Sequence, residues 1–141
     1  MTTFQLFAAA LTAGYTCAVQ ADNRLEAIDP LTFTFGAAIG VSQNGQWVGG
    51  GLGSPQTSFI WNATSSVTTA LPDTPTGGGY TSAVSDSGSV AIVLVGSIAH
   101  RYTSSGYQVI NNASGDLVGM SPDGTTAIGM GSLTSPAWIW T

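Results

Sequence analysis

Val41–Gly45 reads VSQNG, Val84–Gly88 reads VSDSG and Met120–Gly124 reads MSPDG. A polar turn ending in glycine, written three times at intervals of about 40 residues, marks a repeated sheet module. The closing glycines, Gly45, Gly88 and Gly124, can adopt the positive φ that ends a tight hairpin, because they have no Cβ to clash. Asn44 and Asp123 favour Asn-Gly and Asp-Gly turns directly. Ser87 is a weaker turn former, and Asp86, one place earlier, can cap backbone N–H groups. Ser42, Ser85 and Ser121 are expected to hydrogen-bond across their own loops.

Strand-forming segments flank each turn. In the first copy GAAIGVS, from Gly36, leads into the turn, QWVGGGLG leaves it, and TSFIWN and SVTTALP follow. The second copy repeats the plan with YTSAVS, SVAIVLVG, IAHRYT and YQVI; the third gives GDLVGMS, TTAIGMG and PAWIWT and lacks a fourth piece. These segments are rich in Val, Ile, Thr and aromatic residues, and Trp61, Tyr102 and Trp140 recur at matching places. The sequence therefore predicts an all-β fold of three repeated antiparallel sheet modules at approximately 36–72, 77–110 and 115–141. The arrangement expected is propeller-like or β-prism-like. Residues 1–35 form an N-terminal arm or closing strand in this reading, with Phe4, Leu6 and Phe7 as its apolar contacts. Exposed sheet edges need a partner, so that segment or oligomerisation would close the array.

Composition narrows the function. Of 141 residues, seven are acidic and two are basic, giving a net charge of -5 and 6% charged residues. An ordinary soluble domain carries roughly 25%. So little charge opposes association weakly, which points to a chain that meets other protein surfaces, its own included. Arg24 and Arg101 are the only fixed cations and lie in no basic run, which argues against nucleic acid as a partner. Cys17 and His100 are single, so neither an intrachain disulfide nor a multi-histidine zinc site can be built, and no metal or cofactor is expected. The Asp-bearing turns lack the dense alternating carboxylates of a calcium loop. GGGLG at Gly49–Gly53 has no Lys-Ser or Lys-Thr after it and no phosphate-binding helix pattern. The apolar stretch FQLFAAALTAG is too short and interrupted for a membrane span. It ends near Val19-Gln20-Ala21, where small residues have the spacing of a cleaved leader, but Met1–Leu11 holds no Lys or Arg, so a packing arm is the favoured reading.

A Gly or Ala before VS, a polar turn ending in Gly, a V-V-G-like strand and an aromatic-rich A-F-x-W-T strand together resemble the extracellular HAF-type and other propeller-like repeats of bacteria. The matching stretches are Val41–Gly50 with Ser58–Asn62, Val84–Val95 with Ala99–Thr103, and Met120–Gly129 with Ala137–Thr141. The second copy departs from the pattern at His100-Arg101-Tyr102. The resemblance implies a repeat scaffold and brings no catalytic residue with it.

Enzymatic groups are thin. Cys17 and His100 have no third partner, and Asp86, Asp116 and Asp123 stand in turn contexts that backbone capping explains. No catalytic site is expected. Binding is more plausible, because Trp47 and Trp138 would face the second side of a sheet, where with Arg101 and Tyr102 they could meet a ligand or subunit; Trp61 and Trp140 are assigned to the core. The function expected is a non-enzymatic structural protein mediating protein–protein assembly. Its partners would be itself and another structural protein such as a capsid subunit, and its place a virion surface, as a phage capsid decoration protein. The alternative is an oligomeric carbohydrate-binding propeller-like lectin, secreted or at a cell surface.

Overall fold

The structure, a computed structural model, describes residues 36–114, 117–131 and 136–141. The expected arm, with Phe4, Leu6 and Phe7, lies outside the described residues. All regular structure among the described residues is strand. The first sheet comprises β1 (Gly36–Val41), β2 (Trp47–Leu52), β3 (Thr57–Asn62) and β4 (Val67–Ala70). The second comprises β5 (Tyr80–Val84), β6 (Ala91–Val95), β7 (Ile98–Thr103) and β8 (Gly106–Ser114). The third comprises β9 (Leu117–Met120), β10 (Ala127–Gly129) and β11 (Trp138–Trp140). Strands are neighbours in chain order throughout and every pairing is antiparallel, so each sheet is a meander. The sheets do not close on one another into a barrel.

Register shows how alike the sheets are. Val48 faces Trp61, Ala91 faces Tyr102 and Ala127 faces Trp140. One step further, Gly50 faces Phe59, Val93 faces His100 and Gly129 faces Trp138. Side chains alternate between the two faces of a strand, and directly paired residues share a face. In each sheet one face therefore carries both members of an aromatic pair: Phe59 and Trp61, His100 and Tyr102, or Trp138 and Trp140. Trp138 was expected opposite Trp140; two residues apart in one strand, they lie on the same side instead.

The sheets stack in series with a constant sense. Ile60, on the non-aromatic face of the first sheet, shares a core with Val84, Ala91 and Val93 from the aromatic-bearing face of the second. Ile92, Leu94 and Ala99, on the opposite face of the second sheet, share a core with Ala127 of the third, against which Met120, Trp138 and Trp140 also pack. A third cluster, Leu52, Phe59 and Trp61, lies on the aromatic-bearing face of the first sheet. Burying an Ile or Leu side chain stabilises by roughly 1.5–3 kcal/mol, so the two inter-sheet cores hold neighbouring sheets against one another.

Candidate interaction surface

The three turns are built alike. The Ser42, Ser85 and Ser121 carbonyls accept the N–H groups of Gly45, Gly88 and Gly124 at 3.0, 2.9 and 2.9 Å. The Oγ atoms of the same serines accept the N–H groups of Trp47, Val90 and Thr126 at 3.0, 3.1 and 2.9 Å. The serines thus bond across their own loops. The glycines have φ of 72°, 70° and 72°, whereas Asn44 and Asp123 do not adopt positive φ. These are right-handed turns closed by a left-handed glycine, so Asn44 and Asp123 act through their side chains. Asn44 Oδ1 accepts the Ser42 hydroxyl and Gln46 N–H; Asp123 Oδ1 accepts the Ser121 hydroxyl and Thr125 N–H. These bonds, the Ser121 one foremost, hold the Asp123 carboxyl below its ordinary range. Asp86 does cap an N–H group, but in the neighbouring turn: its Oδ1 accepts Asn44 N–H at 2.9 Å, its carbonyl accepts Asn44 Nδ2–H at 3.1 Å, and its own N–H donates to Pro122 O at 2.8 Å.

A second link repeats between sheets. The residue five places after Ser42, and likewise after Ser85, lies over the turn glycine of the following sheet. A Cβ on Gly88 would run into the Trp47 ring, and one on Gly124 would stand 2.7 Å from Val90 Cβ. Sequence reading assigned these glycines to turn geometry alone. They are also sockets, a role no single repeat displays because the occupant belongs to another.

At the two ends of the series these contacts have no partner among the described residues. A Cβ on Gly45 would meet nothing within 4 Å. Val41 is 65% exposed, while Val84 at the same place in the second sheet is 4% exposed. At the other end Ile128 is 46% exposed against 0% for its counterpart Ile92, and Met130 and Ile139 stand exposed beside it. These three residues line an open apolar depression with Gly129, Ala137 and Trp138. The first strands of the three sheets meet along a separate groove of about 280 Å³, lined by Ile39–Val41, Ser82–Val84 and Gly119–Met120.

The four side chains proposed from sequence as ligand contacts are not gathered in one cleft. Trp47 lies between the first and second sheets over Gly88. Trp138 packs over Gly129 on the core side of the third sheet, with its Nε1 buried and without a hydrogen-bond partner. Arg101 places its guanidinium carbon 5.3 Å from the centre of a Trp140 ring, a cation–π contact between sheets. Tyr102 is tilted against Tyr107, with ring centres 5.0 Å apart. His100 is fully buried, its Nε2 3.4 Å from Thr76 Oγ1 and its Nδ1 without a partner. Among the described residues no three His, Cys, Asp or Glu side chains gather in a way that could hold a metal ion. None of the helices long and apolar enough to cross a membrane occurs among them either. No family profile, no curated protein and no solved structure matches the chain.

Proposed function

We propose that the chain is a non-enzymatic structural protein that mediates protein–protein assembly, and that its three sheets are a sector of a propeller-like array. The observation that carries this reading is the uncovered apolar face at Ile128, Met130 and Ile139, on a chain with 6% charged residues. A neutral, apolar sheet face gains most by burial against another protein surface. The propeller-like description draws support from meander sheets in series whose first strands β1, β5 and β9 line one groove. The setting we propose is a virion surface, where copies decorate a capsid. Small size, low charge and an open contact face suit a protein that covers subunits at many equivalent positions.

The test is to isolate the protein from its source, identify what copurifies, and image any shells by electron microscopy. Density for the chain at symmetric positions on a shell is the expected result. A free particle that binds an oligosaccharide saturably and associates with no protein would replace this reading with the lectin one. Trp47 and Trp138 lend that alternative little, since each ring already packs against a glycine inside the chain.

A further inference from the structure

We propose that Asn44-Gly45 is a self-modifying site, where the asparagine loses its side-chain amide to water, and that the turn of the second sheet guards it by holding the first turn shut. Of the five asparagines in the chain, Asn44 alone precedes glycine. The chemistry favours that neighbour, because the backbone nitrogen of the next residue must attack Asn44 Cγ and a Cβ there would crowd the cyclic imide that forms. The bond from Gly45 N to Cγ forms and the Cγ–Nδ2 bond breaks. Nδ2 leaves as ammonia, carrying the proton that Gly45 N gave up. Water then opens the imide at one carbonyl or the other, leaving aspartate or, where the main chain now runs through the side chain, isoaspartate. Water is the only reagent consumed. Asn44 and Gly45 are exposed, and a Cβ on Gly45 would meet nothing within 4 Å, so solvent reaches the site and the ring has room.

Hydrogen bonds hold this step back while the turn is closed. Gly45 N–H donates to Ser42 O at 3.0 Å, so the attacking nitrogen keeps its proton. Asn44 Oδ1 accepts the Ser42 hydroxyl at 2.8 Å and Gln46 N–H at 2.9 Å, which ties the side-chain amide in place. The leaving nitrogen, Nδ2, donates to Asp86 O at 3.1 Å, and Asn44 N–H donates to Asp86 Oδ1 at 2.9 Å. These last two bonds come from the second sheet, so attack waits on a local opening of the first turn away from Asp86. Asp123 shows what conversion would leave behind. It stands at the place of Asn44 in the third turn and accepts the matching bonds from Ser121 and Thr125, so a carboxylate suits the turn itself. In the first turn, however, a carboxylate has no proton to give Asp86 O and sets a second negative charge beside the Asp86 carboxylate. Isoaspartate in addition lengthens the main chain between the Ser42 carbonyl and Gly45 N–H. Either product leaves the first two turns unlinked, so an opening that ends in deamidation is not reversed.

The experiment incubates the full chain in mildly alkaline buffer and follows conversion at Asn44 by peptide mass spectrometry. It compares folded wild type, wild type unfolded in urea, and the variants Asp86→Ala and Asp123→Ala, each checked for folding by circular dichroism. Folded wild type is expected to convert about tenfold more slowly than the unfolded chain, or more slowly still. Asp86→Ala removes the acceptor for Asn44 N–H and is expected to convert about fivefold faster than folded wild type. Asp123→Ala loosens a turn that makes no bond to Asn44 and is expected to match wild type. Equal rates in the folded and unfolded chain, or equal acceleration by the two substitutions, overturn the guarding by Asp86, and no conversion in either state overturns the site. Asn44→Asp tests the consequence: it is expected to unfold at lower urea than wild type, by a margin that shrinks when Asp86 is also alanine. Stability equal to wild type overturns the one-way link. The assembly reading is not involved in any of these outcomes.

Discussion

Gly88 and Gly45 separate two roles of a turn glycine. Both hold φ near 70°, so Ala at either position meets the left-handed penalty of about 1–2 kcal/mol. At Gly88 the new Cβ also collides with the Trp47 ring, whereas at Gly45 it meets nothing. Gly88→Ala is therefore expected to lower stability by about 1–3 kcal/mol more than Gly45→Ala in urea titration. Equal losses would show that the socket is not a close contact. The glycine spacing was legible because turn chemistry is local; the sockets were not, because their occupants lie one repeat away. Tyr107 offers a second test. Its hydroxyl donates to Pro72 O at 2.6 Å, and burial, then Tyr102 and Asp73, push its pKa up to about 12. A folded-state value above the ordinary 10 means that its contribution is complete below pH 10 and is lost as pH rises from about 10 through about 12. Tyr107→Phe is expected to cost about 1 kcal/mol at neutral pH. The gap from wild type should shrink across that alkaline window; a gap that widens there contradicts the assignment.

Strand pairing shows volume being shared across the sheet. Where the ring is Phe59 or Trp138 the residue opposite is Gly50 or Gly129, with no room for a Cβ; where it is the smaller His100 the residue opposite is Val93. The imidazole is thus a space-filling ring in a place that Phe and Trp occupy elsewhere. Its unpartnered Nδ1 is a burden on stability rather than a functional handle. His100→Phe is expected to leave thermal stability unchanged or raise it by up to about 1 kcal/mol; a loss of several would mean that the Thr76 contact matters more than the geometry indicates. Sequence showed the strands and their order, because turn glycines and β-branched runs recur in step. It misplaced Trp138, because the spacing of AWIW fixes which residues share a side but not which side meets the core. Arg101 likewise gave no local sign that it would lie against Trp140, a residue of the next sheet.

Across the whole molecule the sheets are coupled through shared cores rather than joined like beads. Ile60→Ala, between the first and second sheets, and Ile92→Ala, between the second and third, are each expected to cost about 2–4 kcal/mol. Both should shift one common transition seen by fluorescence and circular dichroism. Two separated transitions in either variant would show that the repeats unfold independently. All-β architecture was readable from turn spacing. Which surface is left open was not, since Ile92 and Ile128 look alike until one is seen covered and the other bare. That bare face has a thermodynamic consequence. Ile128, Met130 and Ile139 carry no ions for sodium chloride to screen, so moderate changes in ionic strength should barely alter a protein contact made through them. Chilling should loosen it, because the driving force for hiding hydrocarbon from water fades in the cold. Sedimentation at two temperatures and two salt levels reads both effects, and particles that dissolve in brine yet survive on ice would point to another kind of seam.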